Sequence, residues 1–145
     1  MVAAGFPADR IILGAPLYGR GWSGVGHVNH GLWQGSTGGT PGSSDTGVGS
    51  YKTLHALLHD PDKDFQRHWD PITLTAWIHS PTEGNGTFWT YEDHAAIEAK
   101  IEFIRSMRLM GLMYWDSSGD LPPDHPDAII PHARRILNHK DAGLE

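Results

Sequence analysis

The sequence predicts an α/β fold in which two buried strands lie parallel and a longer α+β segment separates them along the chain. Residues 10–17 and 112–115 are short apolar runs without alternation, which is typical of strands buried on both faces. A helical pattern lies directly before the second run, and helices that connect buried strands imply a parallel sheet. The 145 residues are enough for one ordinary domain with its own core.

The segment between the two runs carries mixed signals. Residues 23–49 are rich in Gly, Ser and Thr, and loops of this length are uncommon unless they are functional or belong to an insertion. Residues 51–59 place their apolar side chains on one short helical face. Partial alternation over residues 65–78 predicts two short strands around a central Asp-Pro pair, and residues 87–89 follow a Gly-rich turn.

The clearest predicted helix begins near Thr90 and Asp93, whose spacing resembles a capping box. Gly111 stands where a glycine commonly ends a helix. After the second apolar run, a Pro-rich turn leads to a last short helix near residues 133–137. Pro131 interrupts the pattern there, so the start of this helix is left open.

Composition and charge exclude several classes of function. The net charge is −6 and no basic stripe is present, which argues against a nucleic-acid partner. No apolar run approaches the roughly 18–20 residues that span a bilayer, so no membrane partner is expected. The chain has no cysteine, which excludes disulfides and thiolate metal sites. No cofactor is expected, and the N-terminal residues lack the pattern of a secretory signal.

Aromatic and polar side chains follow both predicted strands. Tyr18, Arg20 and Trp22 come after the first strand, and Trp115 and Asp116 stand at the carboxyl end of the second. In α/β folds a ligand lies at the carboxyl ends of the strands. An indole suits the apolar face of a sugar ring, and an arginine offers a fixed fork of donors. The alternative is that both tryptophans are core residues, since Trp is buried more often than it binds a ligand.

A family resemblance favours the sugar-binding interpretation. The string Ile12-Leu-Gly-Ala-Pro-Leu-Tyr-Gly-Arg-Gly-Trp22 resembles the seventh barrel strand of glycoside hydrolase family 18, the chitinases. Thr90-Tyr-Glu-Asp93, Lys100, Gly111-Leu-Met-Tyr-Trp-Asp116 and Gly119-Asp120 are similar to that family's seventh helix and eighth strand. The resemblance covers nearly the whole chain and implies the last two strands and helices of a (β/α)8 TIM barrel, carrying an α+β insertion domain.

The same resemblance implies a division of the chain into three parts. Residues 1–22 would be barrel strand seven and the following loop, residues 23–88 the chitinase insertion domain, and residues 89–145 helix seven, strand eight and the last helix. Two strands cannot close an eight-stranded barrel. The chain is therefore expected to be a truncated gene product or one piece of a larger enzyme, with the N-terminal part of the barrel as its partner.

The resemblance also implies roles for individual residues. Trp115 would form the floor of the subsite where the N-acetyl sugar is distorted, with Tyr18 and Arg20 beside it. The insertion contributes three further tryptophans that either line a wall of the groove or form a small core: Trp33, Trp69 and Trp77. The expected ligand is chitin or chitooligosaccharide, and the full-length parent is expected to be secreted.

No catalytic residue is expected in this chain. The family signature Asp-x-x-Asp-x-Asp-x-Glu, whose Glu is the general acid, does not occur. Residues 60–66 have similar spacing but end in Gln, and they are predicted to form a solvated turn. The chain alone is thus predicted to be inactive. Two alternatives remain: a lectin-like relative that only binds chitooligosaccharide, or a truncated remnant without function.

Histidines offer a weaker signal for zinc. His27 and His30, or His55 and His59 at helical i, i+4 spacing, could ligate Zn²⁺. No nearby acidic or Cys residue completes a convincing ligand set for either pair, so no metal site is predicted.

Overall fold

The computed structural model describes residues 4–43 and 45–138 of the chain. Within these residues lie eight strands: β1 (Ile12–Pro16), β2 (Tyr18–Ser23), β3 (Gly38–Gly39), β4 (Val48–Ser50), β5 (Gln66–Asp70), β6 (Thr75–Ser80), β7 (Thr87–Tyr91) and β8 (Gly111–Trp115). They also contain three α-helices: α1 (Tyr51–His59), α2 (His94–Met107) and α3 (Ile129–Asn138). None of the described helices is long and apolar enough to cross a membrane.

The strands form two separate sheets. β1 and β8 pair in parallel with Leu13 opposite Leu112 and Pro16 opposite Trp115, which confirms the predicted parallel pair. The other six strands form an antiparallel sheet in the order β3-β2-β7-β6-β5, and β4 pairs with β2. The predicted helix at residues 51–59 and the predicted strand pair at residues 65–78 are also confirmed, as α1 and as β5 with β6.

The described residues bury only one face of the two-stranded sheet. Ala15 is buried, and Leu112 and Tyr114 on the same face pack against the main core. On the opposite face Ile12 and Met113 are exposed. The prediction that both strands are buried on both faces is therefore wrong for the described part of the chain, because none of its elements covers this second face.

The segment directly after β1 forms strand β2, although the family resemblance implies a loop there. Glycine is depleted in strands, but packing requires it here. A Cβ on Gly21 would lie 2.3 Å from the Trp89 ring, and one on Gly19 would lie 2.2 Å from the Thr90 carbonyl oxygen. The close approach of β7 to β2 therefore depends on residues that propensity alone assigns to a loop.

Helix α2 begins and ends at other residues than the sequence predicts. Asp93 is the N-cap, and its carboxylate accepts a hydrogen bond from Ala96 N over 3.0 Å. Thr90 lies in β7 instead. Arg108 takes the left-handed conformation at the C-cap with φ of 51°, while Gly111 opens β8. The predicted glycine stop is wrong because a non-glycine residue ends the helix three positions earlier.

Helix α3 begins at Ile129, four residues before the predicted stretch. Pro131 is tolerated because the first N–H groups of a helix have no partner within it. The Asp120 carboxylate accepts hydrogen bonds from Ile129 N at 2.9 Å and Ile130 N at 2.8 Å. A carboxylate nine residues upstream therefore satisfies the start of this helix.

One apolar core joins the two sheets through α2. It contains Ala15 from β1, Ile78 from β6, Ile97 and Ile101 from α2, and Ile129 from α3, all of them almost completely buried. Lys100 adds a polar link, since its ammonium group donates to the Gly14 carbonyl oxygen over 2.9 Å and pairs with Glu92. The middle of β1 is thereby linked to α2.

Candidate functional site

A concave surface of about 410 Å³ lies where β1 and β8 end and β2 begins. We name it the strand-end cleft. Tyr18, Arg20, Trp115 and Asp116 line it, and α1 contributes Lys52. The structure thus brings together four of the five side chains that the sequence predicts to bind a ligand.

Backbone hydrogen bonds explain why these side chains meet. Leu17 N donates to the Trp115 carbonyl oxygen over 2.8 Å, and Tyr51 N donates to the Leu17 carbonyl oxygen over 2.9 Å. The ends of β1 and β8 and the start of α1 are therefore fixed around the buried Leu17. Because alternate residues of a strand share a face, Tyr18 and Arg20 then project from the same side of β2.

Trp115 is the most prominent aromatic group of the cleft. Its side chain is 67% exposed even though it is the last residue of a paired strand. The peptide bond between Trp115 and Asp116 is cis. Within the described residues the indole is not part of either apolar core, so the core alternative weighed from the sequence does not hold for this part of the chain.

Arg20 lies over the Tyr18 ring, with the guanidinium carbon 5.3 Å from the ring centroid. This distance is typical of a cation–π contact. Among the described residues no carboxylate forms an ion pair with Arg20. Its exposed guanidinium N–H groups are thus held in place by an aromatic neighbour and remain free to donate to a ligand oxygen.

The Asp116 carboxylate forms hydrogen bonds within the turn that follows it. Its carboxylate accepts hydrogen bonds from the Ser118 amide at 2.9 Å and from the Ser118 hydroxyl. These hydrogen bonds hold the pKa of the Asp116 carboxyl below its usual range. Lys52 donates to the Ser118 carbonyl oxygen over 2.8 Å and adds a favourable charge. An ionised carboxylate engaged in this way is a poor proton donor.

Trp22, the fifth predicted residue, lines a different concave surface. This aromatic groove of about 360 Å³ also includes Val25, Leu32, Trp33 and Phe88. The Trp22 and Phe88 ring centroids are 6.1 Å apart. The structure therefore separates Trp22 from the strand-end cleft, although it shares a face of β2 with Tyr18 and Arg20.

The three tryptophans of the middle segment differ in their surroundings. Trp77 is buried at 7% exposure, and its indole N–H donates to the His30 carbonyl oxygen over 3.0 Å. Trp69 is partly buried against the main core, beneath the Arg67 guanidinium. Trp33 is 87% exposed. Burial therefore favours a core role for Trp77 and leaves Trp33 accessible to a ligand.

Residues 60–65 form the turn between α1 and β5, as predicted, and Gln66 is the first residue of β5. Asp60 accepts a hydrogen bond from Asp62 N over 3.0 Å, and Asp64 accepts one from the Ser80 hydroxyl. Neither carboxylate lines the strand-end cleft. The similarity of this segment to a catalytic signature is therefore one of spacing only.

The structure also places residues together that the sequence analysis missed. His55, His59 and Asp127 bring possible ligand atoms within 4.8 Å of one another. A third possible ligand, Asp127, therefore lies beside His55 and His59. Asp127 is distant in sequence, and no local spacing pattern identifies it. Among the described residues, no such group of three forms around His27 and His30.

Comparison with known proteins decides the family. The model for glycosyl hydrolases family 18 matches residues 1–120. The chain belongs to glycosyl hydrolase family 18. The resemblance seen in the Ile12–Trp22 string is thereby confirmed, and the exposed Trp115 and its neighbours are residues of a family 18 protein.

Several chitinases are similar to this chain in sequence or in structure. Chitinase A1 of Niallia circulans is 32% identical over 118 residues, which are 81% of this chain and 16% of that enzyme. Chitinase ChiA74 from Bacillus thuringiensis has a TM-score of 0.82 at 27% identity, over 99% of this chain and 25% of that one. A class V chitinase from Nicotiana tobaccum, solved in complex with NAG4, has a TM-score of 0.80 at 21% identity, over 94% of this chain and 37% of that one.

The two solved structures share the α/β fold of this chain, which confirms the predicted α/β class. The chain spans 16% to 37% of the length of these three relatives.

Proposed function

We propose that this chain supplies the floor and one wall of a chitin-binding cleft in a larger family 18 enzyme. The observation that carries the proposal is the exposed Trp115 indole at the carboxyl end of a parallel strand pair, beside Arg20 and Tyr18. Ligands of α/β folds bind at this end of the strands. An indole face and a guanidinium fork together suit an N-acetylglucosamine ring with its hydroxyl and acetamide oxygens.

The uncovered face of the β1–β8 sheet supports the idea of a partial barrel. In the described residues each of these strands pairs only with the other, so one edge of each is unpaired. Ile12, Met110 and Met113 are exposed nearby. Unpaired edges and exposed apolar faces favour association with further strands. The remaining strands of a (β/α)8 barrel would pair with these edges and cover the exposed apolar face.

We assign the parts of the chain accordingly. Residues 1–22 would supply barrel strand seven, residues 89–145 the following helix, strand eight and last helix, and residues 23–88 the insertion domain. β2 and β7 pair in the centre of the antiparallel sheet, with β3 and β4 on the β2 side and β6 and β5 on the β7 side. This pairing would hold the insertion rigidly against the barrel and so position one wall of the cleft.

Hydrolysis of β-1,4-linked N-acetylglucosamine polymers would require a general acid from outside this chain. Asp116 is the only carboxylate among the described residues that line the strand-end cleft, and it is engaged by Ser118. The catalytic signature of the family does not occur in the sequence. The chain is therefore a binding element, and the acid would come from the rest of the parent's barrel.

A non-catalytic, lectin-like protein is the second candidate. The same lack of an available acid in the cleft favours it, since binding needs only the aromatic and arginine groups. A full-length parent that binds chitooligosaccharide with no hydrolysis would support this candidate over the enzyme. An inactive remnant would neither bind nor hydrolyse chitooligosaccharide.

We place the parent protein outside the cell. Chitin is an insoluble polymer, so an enzyme or lectin that acts on it must meet it there. Chitinase ChiW from Paenibacillus, a similar structure with a TM-score of 0.77 at 29% identity, is described as cell-surface-expressed.

A chimeric enzyme tests the proposal directly. This chain would replace the matching segment of Niallia circulans chitinase A1, and release of a fluorophore from a chitotriose glycoside would be measured. We expect a folded chimera that hydrolyses the substrate and loses most of its activity on Trp115→Ala. Ile72→Ala, an exposed apolar change outside the cleft, is the control. A folded chimera without activity would contradict the proposal.

A further inference from the structure

Helix α1 presents two histidines one turn apart, and a carboxylate from the segment before α3 lies against them. His55 Nε2 is 3.1 Å from Asp127 Oδ2, and the His55 and His59 rings stack with centroids 4.1 Å apart. One possible ligand atom from each of the three residues lies within 4.8 Å of the other two. We name these three residues the histidine cluster.

Hydrogen bonds to the protein orient the cluster. His59 Nδ1 lies 2.8 Å from the His55 carbonyl oxygen. A carbonyl oxygen can only accept, so Nδ1 carries the hydrogen and Nε2 of a neutral His59 carries the lone pair that binds a metal. Metal-binding histidines commonly donate their second N–H to a backbone carbonyl in this way.

The third ligand is held from both sides. The Tyr51 hydroxyl donates to the Asp127 carbonyl oxygen over 2.9 Å, and Asp127 N donates to His125 Nδ1 over 3.1 Å. The His125 ring meets the His55 ring edge-on with centroids 5.2 Å apart. These contacts fix the position of Asp127 beside His55 and His59.

The surroundings leave room for an ion and a water molecule. The cluster lines a cavity of about 350 Å³ that shares no residue with the strand-end cleft. Arg67 also reaches this cavity, but it forms an ion pair with Asp93 at 2.6 Å, so its charge is compensated there. The cluster is thus separate from the proposed sugar site.

We propose that His55, His59 and Asp127 form a binding site for a divalent transition metal, with Zn²⁺ as the preferred ion. Two imidazoles and one carboxylate suit zinc and leave a fourth position for water. They do not suit Mg²⁺ or Ca²⁺, which require oxygen ligands. Tetrahedral bonds of 2.0–2.1 Å place ligand atoms about 3.3 Å apart, and His55 Nε2 and Asp127 Oδ2 already lie 3.1 Å apart. For Zn²⁺ to bind His55 Nε2, the hydrogen of the neutral His55 ring would be carried by Nδ1 instead of Nε2, so the ring stays neutral.

The consequence of such a site is a link between two parts of the fold. His55 and His59 belong to α1 in the middle segment, and Asp127 directly precedes Ala128 and the start of α3. A metal that binds the folded state alone stabilises it by mass action. Zn²⁺ would therefore join the proposed insertion to the proposed last helix of the barrel and raise the melting temperature.

Calorimetric titration of the full, chelator-treated chain with ZnCl₂ tests the site. We expect one saturable site that millimolar Mg²⁺ does not displace, and visible absorption typical of tetrahedral coordination when Co²⁺ is used. His59→Ala and Asp127→Asn should each weaken Zn²⁺ binding by about a hundredfold or more, because loss of an outer partner alone costs 10–100-fold. His27→Ala, at an exposed histidine outside the cluster, should leave the affinity unchanged.

Two results would overturn the proposal. One is the absence of saturable Zn²⁺ binding, which would leave the cluster as a His–Asp ion pair. The other is equal Zn²⁺ affinity in the parent chain and the His59→Ala variant, with circular dichroism showing both folded, since the metal would then sit elsewhere. Neither readout involves a saccharide, so both are independent of the proposed function.

Discussion

Leu17 and Trp115 are joined by a backbone hydrogen bond of 2.8 Å between the Leu17 amide and the Trp115 carbonyl oxygen. Leu17 is almost completely buried, whereas the Trp115 side chain is largely exposed. The main chain of Trp115 is thus anchored in the core while its indole faces solvent. A rigid main chain with an accessible aromatic face is what a sugar-stacking residue requires, because little conformational entropy is lost when the ligand binds.

The isolated chain should not hydrolyse chitin. General acid catalysis requires a positioned proton donor, and the hydrogen bonds from Ser118 keep Asp116 ionised. Release of a fluorophore from chitobiose and chitotriose glycosides should match a buffer blank. Release above the blank that a family 18 inhibitor removes would contradict this expectation.

The strands of the parallel pair should exchange their amide hydrogens faster than the centre of the antiparallel sheet. β6 lies between β5 and β7, while β1 and β8 each have one unpaired edge in the described residues. Native-state hydrogen exchange of the monomer measures the difference. Equal or stronger protection of β1 and β8 than of β6 would mean that the β1–β8 pair is stable without further strands.

Removal of the Asp120 carboxylate should destabilise α3. Asp120 accepts hydrogen bonds from Ile129 N and Ile130 N, so Asp120→Ala leaves the first turn without these partners. Loss of a helix cap costs about 0.5–2 kcal/mol in the free energy of unfolding. Urea denaturation of the variant measures this loss. Asp124→Ala, at an exposed aspartate in the same loop, is the control and should change stability little.

Gly21→Ala should destabilise the antiparallel sheet. The new Cβ would lie 2.3 Å from the Trp89 ring, which is buried and cannot move freely. Overpacking of this kind typically costs about 1–3 kcal/mol. Gly35→Ala is the matched control, since a Cβ there meets no atom within 4 Å. Equal thermal stability of the two variants would show that β2 and β7 separate at no cost.

The sequence predicted those parts of the fold in which one local signal dominates. Continuous apolar runs identified β1 and β8, and helical periodicity identified α1 and most of α2. β2 was missed because its glycines reflect close packing against Trp89, which is a tertiary requirement. The end of α2 was misplaced because Arg108 takes the left-handed conformation usually left to glycine.

The sequence likewise predicted only some of the residues of the candidate sites. Tyr18, Arg20, Trp115 and Asp116 follow strand ends, and parallel pairing necessarily brings strand ends together. Trp22 was grouped with them on sequence proximity, but it lies far enough along β2 to line the aromatic groove. Asp127 was missed because it meets His55 and His59 only through the packing of α1 against the segment before α3.

Trp115→Ala in a complete barrel, such as the chimera with chitinase A1, tests the central claim most directly. Stacking of a sugar on an indole is of order 1–3 kcal/mol by analogy with other ring contacts. Chitooligosaccharide affinity should therefore fall roughly ten- to hundredfold, with a melting temperature close to that of the Ile72→Ala control. Truncation of a core tryptophan would instead cost about 3–5 kcal/mol of stability. A large fall in melting temperature with unchanged affinity in the folded fraction would contradict the account.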